Sequence, residues 1–307
     1  MRCRTVLRHA ANKSLLHFER LVMKLALILA VTTAMLIAYA RMLLADRPAT
    51  AGTVTIALIN NALADARPQA TEDRLVTLRA AAKGVLQARP NNFLIASKLQ
   101  KALDQADGSV EKQVKSLQTA LAESAAILNF RMKKEAAFPQ GFQEPAALGE
   151  IQLKHYPAYR LARVSSRKEG TFFTLFNHIK SNKIEMTAPV EMRFDEANQG
   201  YRQVDMAFLY GAPDWGHLGD AGQGVMVQDV PAMSTVAIGL TGDFDPNSSI
   251  YIEALESWLA RNATDYERDG QVRVMGYNSP FVWKSQRFFE IEIPVRKRTE
   301  VPESTKS

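Results

Sequence analysis

Few residues in this chain of 307 have side chains that could do covalent or metal chemistry. The only cysteine is Cys3, which excludes an internal disulfide and any zinc or iron–sulfur site held by cysteines. Two of the five histidines lie in a basic leader, so that His155, His178 and His217 remain for a site. The sequence shows no serine–histidine–aspartate set, no pair of acids at a convincing spacing and no cluster of metal ligands. These features predict that the protein is not an enzyme.

The net charge of +6 is concentrated at the amino terminus. Six of the first 24 residues are Lys or Arg and one is Glu, whereas the remainder of the chain is nearly neutral. Recognition of a nucleic acid needs clustered basic side chains on the folded domain, and the sequence shows no such cluster. We therefore expect no nucleic-acid partner.

Soft and aromatic side chains are the second chemical feature. Phe172 and Phe176 fall on one stripe of a predicted helix. Methionines recur on the predicted strands or at their ends: Met186, Met192, Met206, Met226, Met233 and Met275. Methionine tolerates planar guests, and a pocket between a helix and a curved sheet is a usual place for an apolar ligand. The pattern indicates a site for an apolar small molecule, with ordinary core packing as the alternative.

Alternation with a period of two places many of these residues on β-strands. Ile151, Leu153 and His155 share one face of the first strand, so His155 is expected to point where apolar side chains point. The segment 183–193 alternates between apolar and polar residues throughout. Such a strand is typical of a sheet with one buried and one solvated side.

The order of the elements repeats. A strand, a helix and two strands, a βαββ unit, occur twice between residues 151 and 295. The predicted strands cover 151–156, 161–165, 184–193, 204–210, 230–240, 272–277 and 288–295, and the predicted helices cover 168–181 and 247–261. Two such units pack their strands into one curved sheet with the helices against it. The predicted fold class is α+β, a distorted antiparallel β-barrel with two helices.

Three segments of this region resemble the SOUL/heme-binding protein family in sequence and in order. They are Gln152–Tyr159, Lys183–Val190 and Gly276–Phe281, and the resemblance extends over about residues 148–296. It implies the family's distorted β-barrel with two helices, and binding of heme or another tetrapyrrole for sequestration or transfer. Other amphipathic or aromatic small molecules are an alternative, because the doubled βαββ unit also occurs in bacterial effector-binding domains and a fold does not fix its ligand.

The resemblance also implies candidate binding residues. His155 falls on the position of the axial ligand proposed for some members, which makes it the candidate heme iron ligand, with a structural or surface histidine as the alternative. His178 lies on the helix that lines the family's cleft. Lys284 and Arg287 follow the third segment and are candidates for pairing with heme propionates, with a solvated pair as the alternative. The predicted cofactor site comprises His155, His178, Phe172, Phe176, Met186, Lys284 and Arg287.

An uncharged apolar segment at residues 25–40 follows the basic amino terminus. With Ala38-Tyr39-Ala40 at its end it resembles a signal peptide, and an uncleaved membrane anchor ending near residue 44 is the alternative. In both cases the rest of the chain is expected on the extracytoplasmic side, secreted into the periplasm or anchored to the membrane. An organelle-targeting peptide is a further alternative, because residues 1–18 are rich in Arg and contain no acid.

Residues 53–137 are predicted to be helical, with breaks at Pro68, Pro90 and Asp107-Gly108. One interpretation is a small helical bundle. The other is a coiled-coil or partner-binding spacer, which would make the protein a membrane-anchored adaptor with an unknown protein partner. The predicted organisation is a leader at 1–44, this helical region, a linker at 138–147, the SOUL-like domain at 148–296 and a disordered tail at 297–307.

Overall fold

The architecture comes from a computed structural model that describes residues 51–105, 108–165, 170–198, 200–212, 214–247 and 249–298. Nearly all of these residues belong to the second of two compact units, residues 55–307. The predicted leader at residues 1–44 and the tail from residue 299 onward lie outside the described residues. Among the described helices, none combines the length and apolar character needed to cross a bilayer.

Four helices occupy the first part of the described chain. They are α1 (Ala51–Ala66), α2 (Thr71–Ala88), α3 (Phe93–Asp104) and α4 (Val110–Asn129). The breaks between them coincide with Pro68, Pro90 and Gly108, as the sequence predicts. Their apolar faces meet in one buried cluster centred on residues such as Leu78, Leu99, Leu117 and Leu121. Burial of an amphipathic face stabilises each helix more than its own propensity does.

The helical region is joined to the sheet at residues 91–93. Asn92 caps α3, because its Oδ1 accepts a hydrogen bond from the backbone N–H of Ile95 at 3.0 Å. Its Nδ2 donates to the carbonyl of Leu148 at 2.9 Å, and the backbone N–H of Phe93 donates to the carbonyl of Gly149 at 2.8 Å. The buried side chain of Asn92 thus caps the first turn of α3 and ties it to the segment that leads into β1.

Within the described residues, ten antiparallel strands form one sheet, and two further helices pack on it. The strands are β1 (Ile151–Tyr156), β2 (Tyr159–Ser165), β3 (Val190–Glu196), β4 (Tyr201–Leu209), β5 (Gly219–Asp220), β6 (Met226–Val230), β7 (Met233–Thr241), β8 (Tyr266–Arg268), β9 (Val272–Gly276) and β10 (Phe288–Lys297). The helices are α5 (Thr171–Ser181) and α6 (Ser249–Asn262). The predicted α+β class is confirmed.

The order of the strands is symmetric about the centre of the sheet. Along the sheet the order is β1-β7-β10-β9-β3-β4-β2-β6-β5, with β8 paired to β10. Outward from the central β9–β3 pair, β10 and β7 lie on one side and β4 and β2 on the other. The helix α5 follows β2, and α6 follows β7. This is the arrangement that a βαββ unit in duplicate predicts.

The sheet is not closed, and the expectation of a barrel is corrected in this respect. Its end strands, β1 and β5, pair with one neighbour each along the described sheet. The outer edge of β1 is occupied otherwise, since the N–H of Ile151 donates to the carbonyl of Asn91 at 2.9 Å and that of His155 donates to Oε1 of Gln143 at 3.2 Å. At the other end of the sheet, β5 has two residues and pairs with β6, so it offers little edge to a further strand.

The two faces of the sheet have different covers. On one face α6 packs over a buried cluster that includes Ile238, Leu255 and Ile291. On the same face α5 packs over a second cluster with Leu175 and Phe208. The opposite face is covered by an extended segment, residues 130–149, which we call the strap.

The strap is anchored by aromatic side chains. Phe130 stacks on Phe288 with ring centroids 5.8 Å apart, and Phe138 meets Tyr277 edge-on at the same distance. Phe142 packs against Tyr156 at 4.8 Å. Residues 138–147, predicted to be a linker, therefore lie against the sheet, and the division into domains at this point stays a prediction.

Candidate functional site

An apolar cleft opens over the central strands β3, β4 and β9, between the α5 and α6 clusters. Its volume is about 390 Å³, within the range of roughly 300–1,000 Å³ that small-molecule pockets occupy. We call it the central cleft. It is lined by Glu135, Ala136, Phe172, Met186, Thr187, Ala188, Val190, Met192, Met206, Phe244, Gly276, Tyr277, Asn278, Ser279 and Pro280.

Two methionines and a glycine form the floor of the central cleft. Met192 and Met206 are direct partners across β3 and β4, so both side chains point to the same face. Gly276 lies opposite Val190 on β9. A Cβ atom at Gly276 would lie 3.3 Å from the ring of Phe244 and 3.4 Å from Cε of Met192. Because Gly276 has no side chain, the space between Phe244 and Met192 stays open.

Aromatic rings wall the central cleft on two sides. Phe172, in the first turn of α5, stacks on Phe176 at 6.3 Å and meets Phe208 edge-on at 5.1 Å. Across the cleft, Phe244 packs edge-on against Phe289 at 5.7 Å. Because each ring is held by a second ring, the walls suit a flat apolar guest.

Polar groups are confined to one rim. Asn278 is buried; its Oδ1 accepts from the N–H of Phe288 at 2.9 Å, and its Nδ2 donates to the carbonyl of Lys133 at 2.7 Å. The carboxylate of Glu135 accepts from the N–H of Ser279 at 2.8 Å. This backbone hydrogen bond lowers the pKa of Glu135, so the rim carries a negative charge at neutral pH.

A cation lies behind the same loop. Nη2 of Arg287 donates to the carbonyls of Pro280 and Val282 at 2.7 and 3.1 Å, and its guanidinium lies 5.8 Å from the ring centroid of Phe244. Its Nη1 is 3.4 Å from Oδ1 of Asp243. Arg287 therefore braces two parts of the cleft lining and leaves a positive charge close to them.

Residues 141–294, half of the chain, match the family model described as SOUL heme-binding protein. The chain belongs to the SOUL heme-binding protein family. The resemblance seen in three short segments is thereby confirmed. No curated protein matches the chain.

Solved structures similar to this SOUL family member are distant. The EcmrR C-terminal domain is 18% identical with a TM-score of 0.37, over 48% of this chain and 98% of that one. A hydrolase from Listeria innocua is 10% identical with a TM-score of 0.37, over 50% and 94%. An uncharacterized conserved protein from Listeria innocua is 12% identical with a TM-score of 0.38, also over 50% and 94%. These values are too low to support a statement about ligand or activity.

The predicted site residues of the SOUL domain divide into two groups. Phe172 and Met186 line the central cleft. Phe176 supports the ring of Phe172 but is itself 41% exposed. Lys284 and Arg287 share Asp243 as an ionic partner and lie outside the lining. Phe172 and Met186 therefore belong to the cleft and Phe176 and Arg287 contact its lining, whereas Lys284 forms an exposed ion pair with Asp243.

The two predicted histidines lie apart from the cleft lining. His155 is exposed near the end of β1, beyond the part of the strand that packs against α6, and its Nδ1 is 2.8 Å from Oγ of Ser234. The expectation that it points into apolar surroundings is wrong. Nε2 of His178 is 2.8 Å from the hydroxyl of Tyr210, and burial lowers the pKa of His178. Among the described residues no group of His, Cys, Asp or Glu is arranged to hold a metal ion.

The strap-covered face holds a feature that the sequence did not reveal. The polar side of β3 was expected to be solvated, but Glu191 is 2% exposed. It belongs to a charged network of eight side chains: Lys154, Arg163, Glu191, Arg193, Asp205, Arg273, Glu290 and Glu292. The strap meets this network at Glu290, whose Oε1 accepts from the N–H of Ala146 at 2.6 Å. Because an unpaired buried charge is costly, the buried members are paired with one another.

Within this network each buried cation touches two acids. Nζ of Lys154 lies 2.8 Å from Glu290 and 3.9 Å from Glu292. Arg273 donates through Nε to Glu292 at 2.7 Å and through Nη1 to Glu191 at 3.1 Å. Burial raises the pKa of Glu290 despite Lys154. Burial acts the same way on Glu191, but the arginines outweigh it and lower its pKa.

Proposed function

We propose that this SOUL family member binds a flat, largely apolar ring of the tetrapyrrole class, heme included, in the central cleft. The observation that carries the proposal is the cleft itself, which has aromatic walls and a methionine floor in a member of a heme-binding family. Packing, and not an imidazole ligand, holds the ring. The role that follows is sequestration or transfer of the ligand, without catalysis.

The chemistry of the lining supports this choice of site. Burial of apolar surface contributes roughly 25 cal/mol per Å², and thioether sulfur makes favourable contacts with aromatic rings. A heme bound here would supply an iron atom, for which the thioethers of Met186, Met192 and Met206 are the available soft ligands among the described lining residues. By contrast, the cavity of about 270 Å³ on the strap-covered face is lined by Arg163, Arg193 and other charged groups.

A titration with two porphyrins tests the proposal. Hemin and metal-free protoporphyrin IX should both bind the chain saturably at one site, followed by the Soret absorbance and by porphyrin fluorescence. Their affinities should agree within about tenfold, equivalent to about 1.4 kcal/mol, because packing makes the main contribution. Binding of hemin alone would show that iron ligation holds the ligand. The absence of saturable binding of either would contradict the proposal.

The cleft also suits other flat apolar molecules, and the discriminating measurement is selectivity. A ligand that binds only the folded state raises the midpoint of thermal unfolding by mass action. A tetrapyrrole site should give a larger shift with protoporphyrin IX than with smaller aromatic compounds at equal concentration. Equal shifts for all of them would favour a binder of general apolar compounds on the same fold.

The helical region supports a second candidate function, that of an adaptor. A groove of about 460 Å³ between α3 and α4 is bordered by Lys98, Lys101, Lys112 and Lys115. Glu123 is the one acid among its described lining residues, and it pairs with Lys98 at 2.6 Å. The excess positive charge favours an acidic peptide as partner. Binding of an oligoglutamate peptide at low salt, abolished by Lys101→Ala with Lys115→Ala, would support this role, and unchanged binding would contradict it.

We further propose that residues 1–44 direct the folded part across or onto a membrane. The support is the uncharged segment 25–40 behind a basic amino terminus. Fractionation of cells that produce the full chain should place it in the membrane or periplasmic fraction, and deletion of residues 1–44 should move it to the cytosol. Recovery of the full chain from the cytosol would contradict this localisation.

A further inference from the structure

One wall of the central cleft comes from outside the segment that matches the SOUL family. Glu135 and Ala136 line the cleft, whereas the matched segment begins at residue 141. These two residues belong to the strap, which follows the helical region. Residues outside the matched segment therefore contribute to the site.

The strap wall is held firmly. Phe130 and Phe138 pack on Phe288 and Tyr277, one on each side of Glu135 along the chain. The N–H of Ala188 donates to the carbonyl of Ala137 at 2.9 Å, which fixes the backbone next to the cleft. A wall with both ends anchored and a backbone hydrogen bond between them keeps its side chains in a defined place.

Glu135 fastens this wall to the loop that follows β9. Its Oε2 accepts from the N–H of Ser279 at 2.8 Å and lies 3.4 Å from Nδ2 of Asn278. The amide of Asn278 also donates to the carbonyl of Lys133 at 2.7 Å. Two parts of the rim, about 145 residues apart in the sequence, are thus joined at one carboxylate.

The charge of this carboxylate is only partly compensated. Nζ of Lys133 lies 3.5 Å from Oε1 of Glu135, but the lysine side chain is 70% exposed and its effect is screened by solvent. The side chain of Glu135 is 25% exposed and lines the cleft, whereas Lys133 is not among the lining residues. Among the described ion pairs, Arg287 is joined to Asp243 and not to Glu135.

We propose that Glu135 determines ligand specificity at this rim by repelling anionic substituents of the bound ring. The inference rests on the proposed tetrapyrrole site and deepens it. The favoured ligands are ring compounds whose edge at the strap is neutral or cationic. A ring with acidic substituents binds with these turned away from the strap.

The test compares Glu135→Gln with the wild-type full chain. The amide keeps an oxygen that accepts from Ser279 and loses only the charge. Hemin has two carboxylates that are ionised at pH 7, and its dimethyl ester has none. Glu135→Gln should bind hemin roughly two- to fivefold more tightly, an effect that shrinks at high salt, and should bind the ester unchanged. Glu144→Gln is the matched control, because Glu144 is an exposed strap residue outside the cleft lining and its substitution should change neither affinity.

The outcomes separate the two proposals. If the wild type binds both porphyrins and Glu135→Gln alters neither affinity, the specificity role is overturned while the binding site stands. If the variant changes hemin and its ester equally, Glu135 acts by fastening the loop and not by charge, which also overturns the role. If the wild type binds neither porphyrin, both the proposed function and this inference fail.

Discussion

Lys154 is the single residue whose loss should affect the fold most. Its ammonium is fully buried and lies 3.0 and 2.8 Å from the two carboxylate oxygens of Glu290. We expect Lys154→Met to lower the free energy of unfolding by about 3–5 kcal/mol, because it leaves buried carboxylates without their cation. Urea unfolding measures the change. The control is Lys98→Met, which breaks an exposed pair and should cost less than about 1 kcal/mol; equal losses would contradict the account.

Glu191 should make the fold sensitive to acid. Burial disfavours its ionised form, but Arg273 and Arg163 prevail and its pKa in the folded state is lowered. Its stabilising contribution is therefore complete above the unfolded-state pKa of about 4.3 and is lost as the pH falls through the lower folded value. Glu191→Gln should reduce stability at pH 7 and flatten the fall in unfolding free energy below about pH 4.3. A slope identical to that of the wild type would show that Glu191 is not the group responsible.

For individual residues, the sequence predicts the apolar part of the site better than the polar part. The helical periodicity around Phe172 marks its face, and Phe172 lines the cleft; Met186 lines it as well, although it precedes β3 and lies on no strand. The position of His155 was misjudged, since alternation gives the face of a strand but not where the covering helix ends. The burial of Glu191 was missed for a related reason: a polar strand face looks the same in sequence whether water or a second layer covers it.

The strap packs on the face of the sheet opposite α5 and α6 and contributes apolar contacts there. Phe130 packs on Phe288, and further apolar strap residues join the same cluster. Phe130→Ala should lower the unfolding free energy by about 1–2 kcal/mol, because a half-buried aromatic side chain that packs on the sheet is removed. Phe173→Ala is the matched control, because Phe173 is 68% exposed and its loss should cost less than about 0.5 kcal/mol. Similar losses for both would mean that the strap does not stabilise the sheet.

The elements of the SOUL domain are largely predictable from sequence, but the strand predicted at 184–193 is wrong in its first half, because β3 begins only at Val190. The strand predicted at 288–295 is observed as Phe288–Lys297, and the helix predicted at 247–261 as Ser249–Asn262. Closure of the sheet was not predictable, because it depends on which groups occupy the edge of β1. Asn91 and Gln143 take that edge, and both lie outside any strand. A hydrogen bond accepted by a loop carbonyl or by a loop side chain leaves no periodic pattern in the sequence.

For the whole molecule, the site is a product of distant parts of the chain. The cleft combines the first turn of α5, the strands β3, β4 and β9, the loop after β9 and the strap. The family resemblance covers all of these parts except the strap residues Glu135 and Ala136. It could not indicate Glu135, which precedes the matched residues 141–294 and meets Ser279 only through the tertiary fold.

We propose that the apolar cleft, and not an imidazole, holds the ligand. The most direct test is the hemin affinity of Gly276→Ala beside that of His155→Ala. A Cβ atom at position 276 intrudes between Phe244 and Met192, and Gly276 has no positive φ to strain. We predict that Gly276→Ala weakens hemin binding by roughly five- to tenfold, whereas His155→Ala changes it by less than about twofold. Loss of binding in His155→Ala with normal binding in Gly276→Ala would contradict the account.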